Sequence, residues 1–463
     1  MNGNGKGGSG FTHTKKFVGG DVVISQADSN GGFLERVYKL KEHNTTIRSE
    51  IIAGFTTFMT MAYIIIVNPS ILSDAGMDFG AVLTATCLAA GVTTILMAFY
   101  ARYPFALAPG MGLNAFFAYT VVIGMGYSWQ LALTAVFVEG IIFIIMSFFK
   151  VREAIINSIP MNLKYAVSVG IGLFIAFIGF VNAGIVEGGG AILQLGDMSN
   201  PAAILALIGL IITGVLLYQK VRGALFIGIL ISTAIGIFLG VAELPSSIVQ
   251  MPLSMKPTFL AALKTDWATV FSLDFLIIIF TFLFVDVFDT VGTVIGVASK
   301  ADMLDDKGRL PRASQVLLTD AIGTTMGALF GTSTVTTYVE SASGVAEGGR
   351  TGLTALTTGI LFLLALFLSP IFIIIPGAAT APALILVGLF MMEPIFKIDL
   401  RDYTEAIPAF LTILMMTIAY SIAEGIVFGM LSYTLLKLFT GKGRKVSAVM
   451  YVLSLIFVAR FFI

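Results

Sequence analysis

The chain has 463 residues, of which 57% are apolar and only 12% charged, and its mean hydropathy is +0.96. A soluble domain of this length carries about twice that charged fraction, so a soluble globule, a disordered chain, a coiled coil and a nucleic-acid binder are all excluded. What remains is an integral membrane protein, and its zero net charge, 27 basic against 27 acidic residues, says nothing about partners.

Residues 1–46 are polar, rich in Gly and Asn, and lack the apolar region of a signal peptide, so a cytoplasmic tail is expected, unstructured over 1–32. A spanning helix needs roughly 20 mostly apolar residues. That template places segments near 48–72, 79–100, 104–123, 130–149, 163–183, 201–219 and 222–241. After a polar break at 242–270 it places seven more, near 271–298, 313–331, 333–348, 351–374, 376–395, 404–421 and 424–440. A last apolar stretch, 446–463, stays open between an extra span and an interfacial helix. The single cysteine, Cys87, excludes an internal disulfide or a zinc cluster, and His13 and His43 both precede the first segment. Chemistry inside the bilayer therefore rests on carboxylates, hydroxyls, amides and backbone, with no metal or cofactor expected.

Charge asymmetry tests the count. With the N-terminus inside, the even-numbered connections hold Arg102, Lys150, Arg152, Lys164, Lys220, Arg222, Lys300, Lys307, Arg309, Arg312, Arg350, Lys397 and Arg401. Lys437, Lys442, Arg444 and Lys445 follow at the end of the fourteenth segment. These 17 basic residues stand against two, Lys256 and Lys264, in the odd-numbered connections. The bias toward the cytoplasm is that of a multi-pass protein of the cell membrane with its N-terminus inside.

Seven spans per half make the second half enter from the opposite side, an inverted repeat. "VGIGLF" (169–174) in the fifth segment matches "VGLF" (387–390) in the twelfth, and "GALFIGILISTAIGIF" (223–238) in the seventh resembles "GIVFGMLSYTLLKLF" (425–439) in the fourteenth. The third and tenth segments stand apart. "YPFALAPGMGLNAFFAYTVV" (103–122) carries two prolines and two glycines in its first ten residues, and "GTSTVTTYVESASGVAEGG" (331–349) is rich in Ser, Thr and Gly. Neither makes a good lipid-facing helix, and interrupted segments at equivalent places in two halves point to a binding site. Each is expected to form a short strand running into a half-helix, whose N-terminus faces a polar ligand near the midplane. The expected fold is thus an all-α polytopic membrane protein with 14 spans in a seven-plus-seven inverted repeat, with short strands in spans 3 and 10.

Segment eight carries Asp286 and Asp289 in an otherwise apolar helix, and their spacing puts both, with Thr293, on one stripe. A carboxylate at bilayer depth is a functional candidate by default. Asp289, beside Gly292 and Gly296, is the stronger one, and Asp286 stays open between function and packing. Glu340 follows the strand-like Thr336-Thr337-Tyr338 at the start of the second half-helix, and Asn114 opens the first. For Asn114 a simple helix cap and a ligand contact are both open. Glu139 and Asp320 are read as helix bridges, and Glu347, beside two glycines and Arg350, as part of a cytoplasmic-side gate. Tyr338 is placed to stack on a flat ligand. With acids, an amide and hydroxyls but no Arg or Lys in the interior of these spans, the site fits a flat, neutral, donor-rich heterocycle better than an anion. A buried carboxylate can also carry the coupling proton.

At this level the motifs resemble a known family. "EHNTTIRSEIIAGFTTFMTMAYIIIVNPSIL" (42–72), "PFALAPGMGLNAFFAYTVV", "FVDVFDTVGTVIGVA" and "TTYVESASGVAEGGRTGL" are together similar to the AzgA-like purine permeases. These are the hypoxanthine/guanine and adenine branch of the nucleobase–cation symporters. The resemblance runs from about 38 to 440 and implies the fold of the uracil transporter, with elevator-type alternating access. It implies a core domain of 47–150 and 271–374, a gate domain of 151–243 and 375–440, an extracellular connection at 244–270 and a C-terminal segment at 441–463. "DTVGT" (289–293) resembles the uracil branch's "EHVGH", which sets Asp289 at its substrate-binding Glu and Thr293 at its His. "TTYVE" (336–340) resembles "TTYGE", which sets Glu340 at the second such Glu and Tyr338 at a lining Tyr. The implied substrate set is Asp289, Glu340, Asn114, Tyr338, Thr337 and Thr293. Since Thr293 replaces a His, proton coupling falls on Glu340, Asp289 or Asp286. The expectation is a purine nucleobase:proton symporter, guanine/hypoxanthine first, and not an enzyme. Adenine preference, sodium coupling, a gate-domain homodimer and an anion transporter or channel on the same fold stay open.

Overall fold

Inside hydrocarbon no water bonds the backbone, so apolar stretches settle as helices and any break must be satisfied by protein. The computed structural model describes residues 33–149, 159–188, 193–245, 247–265, 270, 272–301, 303–305 and 310–460. The expected tail 1–32 lies outside them, as do Lys150, Arg152, Lys307 and Arg309.

Among the described residues fourteen segments follow the expected order. Span 1 is Ile47–Met61 and Ile64–Asp74, with a break at 62–63. Span 2 is Phe79–Leu96, continued by a wider π-helical turn, Met97–Ala101. Span 3 begins as strand β1 (Leu107–Pro109), turns into the helix Met111–Ala115 and widens into a π-helix over Phe116–Gly124. Spans 4 to 7 are Trp129–Phe149, Met161–Asn182, Pro201–Tyr218 and Ala224–Phe238. A two-residue hairpin that the sequence did not suggest, β2 (Val186–Glu187) on β3 (Gln194–Leu195), joins spans 5 and 6. Span 8 is Leu273–Lys300 and span 9 Ala313–Phe330. Span 10 is strand β4 (Val335–Thr337) followed by the short helix Ser341–Ala346. Spans 11 to 14 are Gly352–Ala365 (extended through Ile373), Gly377–Met391, Tyr403–Ile418 and Ile422–Phe439.

The two halves meet through equivalent spans. β1 and β4 pair antiparallel, with Ala108 opposite Thr336 between the pairs Leu107–Thr337 and Pro109–Val335. Spans 5 and 12 cross where Gly172 and Gly388 face each other, and a Cβ on either would run into the other's carbonyl oxygen. Small residues let helix backbones approach this closely in a membrane. Both glycines come from the repeated "VGxGLF/VGLF" motif, so the repeat is visible in the packing as well as in the order of spans. Spans 1, 2, 4, 9 and 11 pack on one another, while spans 5, 12, 13 and 14 form a second packed set that spans 6 and 7 join through span 12.

Buried acids stitch the first set together. Glu50 of span 1 is fully buried and accepts the N-terminal amides of span 11: Arg350 at 2.9 Å, Thr351 at 3.3 Å and Thr354 at 3.1 Å, with the Thr354 hydroxyl at 2.6 Å. These are the donors that a helix start leaves unsatisfied, and a carboxylate is the acceptor that the helix dipole favours there.

The C-terminal stretch resolves as one short helix, Ala448–Arg460. Its 13 described residues rise about 20 Å, against a hydrocarbon layer of roughly 30 Å. It lies on span 14 through a Thr434–Ser454 hydroxyl bond of 2.8 Å, and Phe457 meets Phe280 of span 8. Just before span 13, Asp402 accepts from Lys442 at 2.8 Å and from Thr404, and these bonds hold its carboxyl well below the usual carboxylate range.

Replacing Gly388 by Ala should destabilise the detergent-solubilised protein by about 1–3 kcal/mol, because the added methyl meets backbone that cannot swing away. An unchanged thermal unfolding midpoint in Gly388→Ala would show that spans 5 and 12 do not depend on this crossing.

Candidate functional site

The site is built on backbone that no lipid could host. Each strand is held by the helix before it. Thr94 of span 2 gives its hydroxyl to the Leu107 carbonyl at 3.1 Å and takes the Leu107 amide at 2.9 Å. Thr324 of span 9 gives its hydroxyl to the Val335 carbonyl at 3.0 Å. Strand ends are closed by Gly110 N–H to Thr334 O and Tyr338 N–H to Ala106 O, both 2.9 Å. The Ala106 amide goes to the Ser341 hydroxyl at 3.0 Å.

Four expected residues gather around the strand ends. Glu340 occupies the residue before the Ser341–Ala346 helix, yet its side chain makes no capping bond. Its Oε1 instead accepts the Tyr63 hydroxyl of span 1 at 2.8 Å. Asp289 is partly buried on span 8, which packs against β4 and against the helix Ser341–Ala346. Asn114 is fully buried, its amide nitrogen 3.4 Å from the Pro109 carbonyl and its Oδ1 without a protein partner. Tyr338 is buried and donates its hydroxyl to the same Pro109 carbonyl. Asn114 and Tyr338 therefore meet at one carbonyl at the end of β1. The helix of span 3 starts at Met111 behind Gly110, so Asn114 stands one turn inside it and is not its cap.

Two expected residues turn elsewhere. The Thr337 hydroxyl and amide both go to Asp320 Oδ1, at 3.0 and 2.9 Å, so this side chain braces β4 against span 9. Asp286 is fully buried and takes the Thr290 hydroxyl at 3.3 Å. Thr290 also reaches Asp320 Oδ2 at 2.8 Å and the Thr336 hydroxyl at 2.7 Å. One hydroxyl proton serves only one acceptor at a time, and the shorter bond to Asp320 is the better one. Asp286 and Thr290 thus share a network behind the strand. Thr293 is partly buried one turn beyond Asp289. Of the expected stripe, Asp286 is tied through Thr290 to Asp320 of span 9. Asp320 bridges helices, as its place beside small residues suggested.

Tyr63 was missed. Nothing in its local run marks it: it is one aromatic among many, and only the break at 62–63 brings its hydroxyl to span 10.

Two interrupted, strand-bearing spans that meet across an inverted repeat, with carboxylates at the meeting point, define a membrane transporter. The family model described as Permease family (Xan_ur_permease) matches residues 48–428, and the chain belongs to that family. Guanine/hypoxanthine permease PbuG of Bacillus subtilis is 44% identical over 92% of this chain and 99% of its own length. Adenine permease AdeP of Escherichia coli is 43% identical over 93% of this chain and 96% of its own. Among solved structures, the transmembrane domain of the cyanobacterial bicarbonate transporter BicA matches with a TM-score of 0.61 at 15% identity, covering 81% of this chain and 97% of that one. That likeness shows the shared seven-plus-seven fold and carries no substrate with it.

Asp320 holds β4 and span 8 together from span 9. Asp320→Ala should cost about 2–4 kcal/mol of stability by leaving buried donors unpaired, and Asp320→Asn distinctly less. Equal thermal midpoints for the two variants would argue that these bonds do not hold the strand.

Proposed function

We propose that the protein imports purine nucleobases, guanine and hypoxanthine first, by proton symport. The observation that carries this reading is the meeting of span 8, which holds Asp289, with β4, with the helix that follows Glu340 and with the helix that holds Asn114, whose buried side-chain oxygen lacks a partner. Carboxylates and an amide oxygen are acceptors for ring N–H and exocyclic amino groups, as acidic side chains are for the amino group of cytosine. An anion would meet like charge there. The names of the relatives, adenine on one side and guanine/hypoxanthine on the other, agree with a purine and leave its kind to the site. Guanine and hypoxanthine present N1–H to a carboxylate, whereas adenine has an acceptor at N1. Asp289, Glu340, Asn114 and Tyr338 are the proposed substrate contacts, with Thr293 at the edge. Glu340 or Asp289 carries the proton.

In this reading spans 1–4 and 8–11 move as a core against a gate of spans 5–7 and 12–14, an elevator-type alternation. Polar contacts join the two sets at both ends. At one end Tyr119 donates to Asp74 at 2.7 Å, and Asn182 of span 5 reaches Tyr119 at 3.2 Å and Asp74 at 3.4 Å. At the other end Arg222, before span 7, pairs with Glu347, which follows span 10. Such exposed or half-exposed contacts are weak enough to be broken in each cycle. A homodimer through the gate set belongs to the same reading, and a purely monomeric native mass in mild detergent would remove it.

Uptake of labelled hypoxanthine, guanine, adenine and uracil in cells lacking purine permeases tests the function. Oxopurine uptake should collapse with a protonophore and fall about tenfold or more in Glu340→Gln and in Asp289→Asn, because each removes a charged acceptor. Normal purine uptake in both variants would sink the two-carboxylate site. No purine uptake by the wild type would shift the reading to an anion carrier on the same fold.

The basic connections support an N-terminus on the inside. Since Cys87 is buried, a membrane-impermeant maleimide should label Lys264→Cys on intact cells and Arg444→Cys only after permeabilisation. The reverse pattern would invert the topology.

A further inference from the structure

Tyr63 stands at the break in span 1, between the helices Ile47–Met61 and Ile64–Asp74. Its carbonyl accepts both Ile66 N–H at 3.1 Å and Val67 N–H at 3.0 Å, which tightens the chain there. The ring is 1% exposed and belongs to the main apolar cluster. A ring packed this way has two side-chain torsions and little freedom in either. Its hydroxyl is therefore delivered to a fixed place, and that place is Glu340 Oε1, at 2.8 Å.

Glu340 needs such a partner. It precedes a helix of six residues and makes no capping bond to it, so its own helix does not orient the carboxylate. A glutamate on the end of a long flexible stem would otherwise sample several rotamers. A carboxylate has about four lone-pair positions; the Tyr63 phenol occupies one and the backbone N–H of Glu340 itself another, which leaves about two for a ligand. The group that results is oriented and still rich in acceptor capacity.

We propose that Tyr63 is a positioning and specificity-determining residue, whose hydroxyl fixes the Glu340 carboxylate as an acceptor for purine N–H groups and so favours oxopurines over adenine. The inference rests on Glu340 touching the base, as proposed above. An oxopurine offers N1–H to the fixed carboxylate. Adenine brings a lone pair to the same place, and two facing acceptors leave a buried polar group unpaired, which a site built for a donor rejects strongly. A carboxylate free to rotate would discriminate less.

The test is binding of hypoxanthine and of adenine to purified wild type, Tyr63→Phe, Glu340→Gln and the double variant. Tyr63→Phe keeps the ring and its packing and removes only the hydroxyl. Its hypoxanthine affinity should drop roughly three- to tenfold, the size of one hydrogen bond, while adenine changes less than about twofold. In the Glu340→Gln background the same substitution should have no further effect, because Tyr63 acts through that carboxylate. Equal losses for both bases, no loss for either, additive effects in the double variant, or a wild type that prefers adenine would each overturn the inference. Hypoxanthine binding unchanged by Glu340→Gln would instead overturn the carboxylate site, which separates the two failures.

Discussion

Two short stretches of extended backbone lie in the interior of a membrane protein, and the rest of the fold is arranged to satisfy them. A strand exposes an N–H and a C=O at every residue, and in hydrocarbon each unpaired group costs several kcal/mol. β1 and β4 answer this by pairing with one another, from Leu107–Thr337 to Pro109–Val335. Their remaining groups are met by side chains from neighbouring helices: Thr94 from span 2, Thr324 and Asp320 from span 9, and Ser341 beyond β4. Threonines and an aspartate in these helices are therefore the complement of the breaks in spans 3 and 10.

The same constraint produces the site. Ending a strand at mid-membrane frees the chain to place Asn114 and Glu340 just beyond it, on two segments that come from opposite sides of the bilayer. Tyr63 of span 1 and Asp289 of span 8 come from the helices packed around them. The acids divide by task according to what satisfies them. Glu50 and Asp320 spend their lone pairs on backbone amides and hydroxyls of the scaffold. Glu340 has one phenol on it and a helix that makes no demand on it. Carboxylates with that much unused acceptor capacity are suited to a ligand that donates N–H groups.

Packing within the two sets of spans differs in kind from packing between them. Within the sets, helices touch closely, as at Gly172 and Gly388, and buried acids add polar bonds, as at Glu50 and Asp320. Between the sets, the polar contacts are few and lie near the ends of spans, at Asp74–Tyr119–Asn182 and Arg222–Glu347. An alternating-access cycle asks for this division of strength: bonds that hold each body together through the motion, and others that give way at modest cost.

The number of spans, their order, the two interrupted segments and the inverted repeat were determined by the sequence, because run length, Gly and Pro content and basic flanks are local properties and the bilayer reads them locally. Asp289, Glu340 and Asn114 were legible for the same reason: a polar group inside an apolar run stands out. What lay on either side of each helix was not legible. Asp286 and Asp289 share a helix face by spacing, but the link from Asp286 through Thr290 to Asp320 of span 9 exists only in the assembled fold. Thr337 sits in the right motif, yet Asp320 takes its hydroxyl. How the C-terminal helix Ala448–Arg460 packs, on span 14 and against Phe280 of span 8, was set by the fold as well. The Tyr63–Glu340 bond joins residues far apart in the chain, and no pattern within either segment encodes it. Hydrophobicity selects which segments enter the membrane, whereas the choice of partner for each buried polar group is made by packing, which exists only once the spans are assembled.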